Sequence, residues 1–138
     1  AAIGLNQLKN LSKNNSYRSI NFKYFIDLLD EKKYWKAFDL KGSCNYAFPI
    51  ILNTKSISKR NLFEKTLDKH GIEFRRGTAG GGNQLRQPYL KDFSKKINFK
   101  NFKKVDRIHF FGYYIGNYPL LKKSKIKEIV TILNKIDI

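Results

Sequence analysis

The sequence predicts one α+β domain: a small antiparallel sheet of about three strands with helices over one face. Three observations carry this. Apolar residues recur at three-to-four spacing near both ends of the chain, which is the helical period. Strict alternation, the strand period, occurs only in short runs. Helices and strands mix irregularly, without the βαβ repeats that a doubly wound sheet would need.

Taken in order, Ile3, Leu5, Leu8 and Leu11 begin an apolar stripe. Tyr17, Ile20, Tyr24 and Leu28 continue one, with Phe22, Phe25 and Leu29 beside it. Asn14-Asn15-Ser16 is expected to break or kink this run, with Ser16 capping a second helix. Tyr34, Trp35 and Phe38 are expected over the edge of the core, with Trp35 as an anchor. Cys44, Tyr46, Phe48, Ile50 and Leu52 alternate as one buried strand face, and Pro49 makes that strand an edge or a bulge. Ser58 is the expected cap of a helix over 61–70 with Leu62, Phe63 and Leu67 inward, and Gly71 suits the position past its end. A short strand over 72–75 turns Ile72 and Phe74 one way and Glu73 and Arg75 the other. Residues 87–90 read as a turn or short helix, and 94–102 as a solvated, lysine-rich connection. Val105, Ile108 and Phe111 suggest one or two helical turns ended by Gly112, before a third strand over 113–116. Asn117-Tyr118-Pro119 turns the chain into a closing amphipathic helix through Ile126, Ile129, Val130, Leu133 and Ile136, with Ser124 as cap.

The most informative stretch is FRRGTAGGGNQLRQPY, from Phe74 to Tyr89. Gly77, Gly80, Gly81 and Gly82 let the backbone approach a ligand and take positive φ. Arg75, Arg76 and Arg86 present forks for phosphate or carboxylate oxygens. Asn83, Gln84 and Gln87 both donate and accept, which suits sugar hydroxyls. The loop reads as a binder of a polar, phosphorylated small molecule; a plain surface loop is the competing reading. Its glycines do not follow GxGxxG, and GTAGGGN lacks the GK[ST] ending of a phosphate-binding P-loop.

Composition narrows the rest. The chain has 138 residues, 41% hydrophobic, enough for a core and too apolar for a disordered tail. Its formal net charge of +17 invites a nucleic-acid partner. However, lysines are spread over most of the chain among many Asn and Ile residues, which reads as compositional drift as much as a selected patch, so a nucleic-acid partner is disfavoured. The one cysteine, Cys44, cannot make an internal disulfide, which makes a cytoplasmic setting the default and Cys44 a core residue. No apolar run is long enough to span a membrane. His70, His109 and Cys44 stand apart, and the acids are scattered, so neither a metal site nor a nucleophile–base set is suggested. A binding loop without a catalytic set, in a chain with no methionine, leads to the expectation that this is a piece of something longer.

Three stretches resemble the DegT/DnrJ family of pyridoxal-phosphate-dependent sugar aminotransferases: AAIGLNQLKNL at 1–11, GIEFRRGTAGGGNQLRQPYL at 71–90 and RIHFFGYYIGNYPLL at 107–121. They come in the family order and span nearly the whole chain. The resemblance implies that 1–138 is the small C-terminal domain of a fold-type-I aminotransferase, without the upstream cofactor-binding domain. It implies a parent enzyme acting on a nucleotide-linked keto-deoxy sugar for surface polysaccharide, by amino transfer or, alternatively, as a 3-dehydratase. Pyridoxal 5'-phosphate and an amino donor are implied for the parent, which would be a homodimer. No cofactor or catalytic residue is expected on this chain alone, because the family's cofactor lysine, or the histidine of the dehydratases, lies upstream. The resemblance places Arg75, Arg76, Gly80, Gly81, Gly82, Asn83, Gln84, Arg86 and Gln87 against the nucleotide sugar, with His109, Tyr114 and Asn117 in the same cleft. A stand-alone module binding sugar nucleotides or nucleic acid remains the rival.

Overall fold

The computed structural model describes residues 2–79, 82–90, 92 and 97–138. The α+β expectation holds: among the described residues there are five α-helices and one three-stranded antiparallel sheet. The helices are α1 (Ala2–Leu8), α2 (Leu11–Leu28), α3 (Ile57–Lys69), α4 (Lys103–Phe111) and α5 (Lys123–Lys135). The strands are β1 (Ala47–Ile51), β2 (Arg75–Arg76) and β3 (Gly112–Gly116). β3 is central, in the order β1-β3-β2, and Pro49 sits on the edge strand β1 as its missing donor requires.

Alternation across the sheet divides its two faces. Phe48, Ile50, Tyr113 and Ile115 point inward, where they meet Phe22 and Phe25 of α2, Phe63 and Leu67 of α3, and Ile126, Val130 and Leu133 of α5. Phe25 stacks on Phe48 with ring centroids 4.4 Å apart, and Phe63 meets Tyr113 at 4.8 Å. The ends of the first and last long helices are tied together. Asn134 donates from Nδ2 to Leu28 O (2.9 Å) and accepts at Oδ1 from Asp30 N (3.0 Å). Lys33 Nζ donates to the carbonyls of Asn134 and Ile136, both at 2.8 Å, placing a cation on the orphan carbonyls at the end of α5.

Several local expectations are corrected. The first helical run breaks at Lys9-Asn10, not at Asn14–Ser16. α2 passes straight through, and Ser16 Oγ donates back to Ser12 O, the bond a serine makes inside a helix. The buried stripe of α2 is Phe22 and Phe25, continued by Leu29 just past its end, while Tyr17 and Ile20 are exposed. Cys44 and Tyr46 are exposed, because Asn45 takes a left-handed φ of 49° and resets the alternation before β1. Trp35 is 42% exposed; Tyr34, one residue earlier, is the core aromatic. α3 is capped by Ser56, whose side chain accepts from Lys59 N, rather than by Ser58. Leu62, Val105 and Ile108 are exposed. The strand expected over 72–75 is reduced to Arg75–Arg76, and Ser124 lies inside α5 rather than capping it. Of the solvated connection expected over 94–102, residues 94–96 lie outside the described residues; in the remainder Ile97, Asn98, Lys100, Asn101 and Phe102 are exposed, around a 3-10 turn at Phe99–Asn101. Among the described residues no helix is long and apolar enough to cross a membrane.

Candidate functional site

The glycine loop leaves the end of β2 and is drawn at once against the junction of α4 and β3. Gly77 N donates to Gly112 O at 2.6 Å. A Cβ on Gly77 would stand 1.9 Å from Ile108 O, a backbone atom in the last turn of α4. The close approach therefore needs glycine. At Gly82 two constraints coincide: φ is +58°, and a Cβ would stand 2.3 Å from His109 Nδ1. Gly80 and Gly81 lie outside the described residues.

Beyond Gly82 a polar knot fastens the loop to α4. Asn83, 2% exposed, donates from its backbone N–H to His109 Nδ1 (3.0 Å) and from Nδ2 to Asp106 Oδ1 (2.6 Å). Its Oδ1 accepts from Leu85 N at 3.2 Å, starting the short 3-10 turn Gln84–Arg86. Arg86 forks onto Asp106, Nε to Oδ1 and Nη2 to Oδ2, both at 2.7 Å, with its guanidinium 4.9 Å from the Phe110 ring centroid. The Arg86 fork, with help from Asn83, holds the Asp106 carboxyl at a pKa of about 2, against the opposing effect of burial. Burial and then the Arg86 charge lower the pKa of His109. His109 is neutral in this arrangement, since Nδ1 must stay unprotonated to accept from Asn83.

The sign with pH follows. The Asp106 contribution to stability is fully present above the ordinary carboxylate range and is lost as pH falls toward about 2. The His109 contribution is fully present above the ordinary histidine pKa of about 6.5 and declines as pH falls below it.

A cleft of about 470 Å³ opens beside the loop, between the sheet and Ile108 of α4. Arg76, Gly77 and Ala79 of the loop form one wall and Pro49, Ile51 and Tyr114 the floor; Phe38, Leu40 and Tyr46 close the far side. Tyr46 and Tyr114 meet edge-on at 6.1 Å. Arg76 also bonds Glu64 Oε2; the other oxygen of that carboxylate accepts from Tyr113 Oη at 2.7 Å. Arg75 is exposed, opposite Tyr114 in the register and 3.1 Å from Glu73 Oε1.

The structure thus brings Arg76, Gly82, Asn83, Gln84, Arg86, Gln87 and His109 to the Gly112 end of β3, with Arg75 and Tyr114 paired at its middle. Gln84 accepts from the Tyr89 hydroxyl, and Gln87 is half-buried at the end of the 3-10 turn. Asn117 is not among this group. It lies just past the other end of β3, about 16 Å from Gly112 at strand rise, with Nδ2 donating to Arg18 O (2.9 Å) and Asn45 O (2.6 Å). Sequence reasoning missed Asp106, on which the knot turns. Its signal was the three-residue step to His109, which puts both on one helix face. Among the described residues no cluster of His, Cys, Asp and Glu could hold a metal ion.

The family model for the DegT/DnrJ/EryC1/StrS aminotransferases matches residues 1–134. Among solved structures, a GDP-4-keto-6-deoxymannose-3-dehydratase with a trapped PLP-glutamate geminal diamine is 25% identical, with a TM-score of 0.73 over 96% of this chain. The E. coli GDP-4-keto-6-deoxy-D-mannose-3-dehydratase with bound hydrated PLP is likewise 25% identical over 96% of this chain, with a TM-score of 0.74. A Streptococcus pneumoniae protein described as a sugar aminotransferase is 14% identical over 96% of this chain with a TM-score of 0.77, a likeness of fold. The chain spans 34% of the length of the two dehydratases and 33% of the third protein. A comparison with curated proteins finds no match.

Proposed function

Because the chain belongs to the DegT/DnrJ/EryC1/StrS aminotransferase family, we propose that it is the C-terminal, substrate-closing domain of a PLP-dependent enzyme acting on a nucleotide-linked keto-deoxy sugar. The parent would serve surface-polysaccharide synthesis in the cytoplasm as a homodimer. The observation that carries the reading is the cleft beside a fastened glycine loop. It combines an arginine, Arg76, with Tyr114 and Tyr46, a cation beside aromatic rings that suits a phosphorylated sugar.

In this reading Arg75 and Arg76 meet the diphosphate, and Gly80, Gly81 and Gly82 admit the ligand to the backbone. Gln84 and Gln87 face sugar hydroxyls, and Asn83, Arg86 and His109 hold the loop at the cleft wall. Asn117, at the far end of β3, would contact the ligand only through a part of it that extends the length of the sheet.

Pyridoxal phosphate supplies the electron sink that lets a sugar exchange a keto group for an amine or lose a hydroxyl. This chain's cleft does not fit it: among the described residues its wall carries no lysine to engage the aldehyde. We assign the cofactor, and the amino donor that reacts with it, to the remainder of the parent. The present chain supplies binding energy, orientation and exclusion of water. The 25% identity to two 3-dehydratases, against 14% to the aminotransferase, makes dehydration the second reading.

Hydrogen exchange on the intact parent tests the placement. A nucleotide-linked keto-deoxy sugar should slow exchange at the amides of residues 76–86 about tenfold or more. Unchanged exchange there, with protection appearing elsewhere, would move the substrate off this loop.

A further inference from the structure

Along α4, beside the residues that anchor the glycine loop, lies a second concavity that the proposed function does not use. One part, about 480 Å³, is walled by Lys55, Lys103, Lys104, Asp106, Arg107 and Phe110, with Phe111 at its base. It continues into a part of about 230 Å³ between Trp35, Ile51, Lys104, Arg107 and Ile108. The two share Lys104 and Arg107.

Three features set this groove apart from a generally basic surface. First, its cations lack counter-ions. Among the described residues no acid pairs with Lys55, Lys103 or Lys104, and the one acid in the wall, Asp106, is already claimed by Arg86 and Asn83. Second, it holds a fixed aromatic plate. Trp35 is 42% exposed yet locked by its backbone N–H to Ile51 O and its Nε1 to Ala37 O, both at 2.9 Å. Third, Arg107 is pinned over that plate. Its carbon Cζ stands 5.6 Å from the indole centroid, while Nη2 donates to Leu52 O (3.2 Å) and to Asn53 Oδ1. An indole and a guanidinium already ordered spend no entropy on a ligand that stacks against them.

We infer that this groove is a second anion site, built for a pyrophosphate group that carries an aromatic ring, as a nucleoside diphosphate does. Lys55, Lys103 and Lys104 neutralise the phosphates as mobile point charges, and the ring lies against the Arg107–Trp35 stack. The groove borders the loop cleft, with which it shares Ile51 and Ile108, but the site does not depend on the family reading.

The chain carries its own reporter, since Trp35 is its only tryptophan. Trp35 fluorescence would be titrated in the 138-residue chain with inorganic pyrophosphate, a nucleoside diphosphate and inorganic phosphate. Both diphosphates should quench or shift the signal saturably, the nucleoside form at about tenfold lower concentration, and monophosphate far more weakly. The pair Lys103→Glu and Lys104→Glu, on exposed side chains, should weaken the nucleoside diphosphate at least tenfold. Lys122→Glu with Lys123→Glu, the same change in net charge at the start of α5, should leave it within twofold. Circular dichroism would check that both doubles fold, and Lys103→Ala with Lys104→Ala would replace any that does not. Equal weakening by the two charge reversals would reduce the effect to diffuse charge and overturn the site, as would no saturable change with either diphosphate. Equal affinity for pyrophosphate and the nucleoside diphosphate would overturn the aromatic half of the inference.

Discussion

Gly77→Ala will unseat the glycine loop. The added methyl would stand 1.9 Å from Ile108 O and 3.1 Å from Gly112 O, and both are backbone atoms that no rotamer change can move aside. Either the α4–β3 junction shifts or the loop lifts, breaking the Gly77 N–Gly112 O bond. An overpacked site with a lost backbone bond costs about 2–4 kcal/mol. In a domain of this size that lowers Tm by roughly 10 °C. Gly116→Ala is the internal control: it lies at the other end of the same strand, where a Cβ would meet nothing within 4 Å. Its Tm should stay within about 2 °C of the parent. Thermal unfolding of the two variants side by side reads the difference, and equal melting would mean that the loop does not sit against α4.

Arg86→Ala in the intact parent is expected to raise KM for the sugar nucleotide about 10- to 100-fold while leaving the cofactor bound. Arg86 gives both arms of its fork to Asp106, so its influence on the ligand runs through the loop it secures. Arg86→Lys should recover little, because an ammonium cannot span both carboxylate oxygens. Asp106→Asn separates positioning from direct contact. If Arg86 acts by holding the loop, weakening its partner should raise KM in the same direction. If Arg86 itself grips the diphosphate, releasing it from Asp106 should leave KM unchanged or lower it. Loss of cofactor absorbance in Arg86→Ala, with sugar affinity unchanged, would contradict the assignment of this loop to the substrate.

The fold class was legible because periodicity survives composition. The closing helix is legible through Ile126, Val130 and Leu133, all buried in the core, and β1 through Phe48 and Ile50, with Leu52 just past its end. The errors arose where one residue's backbone overrode the pattern. Asn45 adopts a left-handed φ, which asparagine tolerates better than most residues, and this put Cys44 and Tyr46 on the surface. Asn14 and Asn15 suggest a helix break, but α2 continues through them, with Asn14 N donating to Asn10 O at 2.9 Å. Much of the candidate site was visible as a glycine-, arginine- and amide-rich segment. What the sequence could not show was that Asn83 and Arg86 converge on one acid 20 or more positions away. Nor could it show that the cleft is floored by Pro49, Ile51 and Tyr114 of the sheet. Both depend on pairing between segments distant in the chain, and composition does not record it.

The central claim, that this chain closes a larger cofactor enzyme over its sugar, is tested most directly by reading the source DNA immediately upstream of the Ala1 codon. The account predicts an open frame continuing into a large domain with a lysine, or the histidine of a dehydratase, at its cofactor position. A stop codon followed by a start codon directly before Ala1 would contradict it and leave a binding module that works alone.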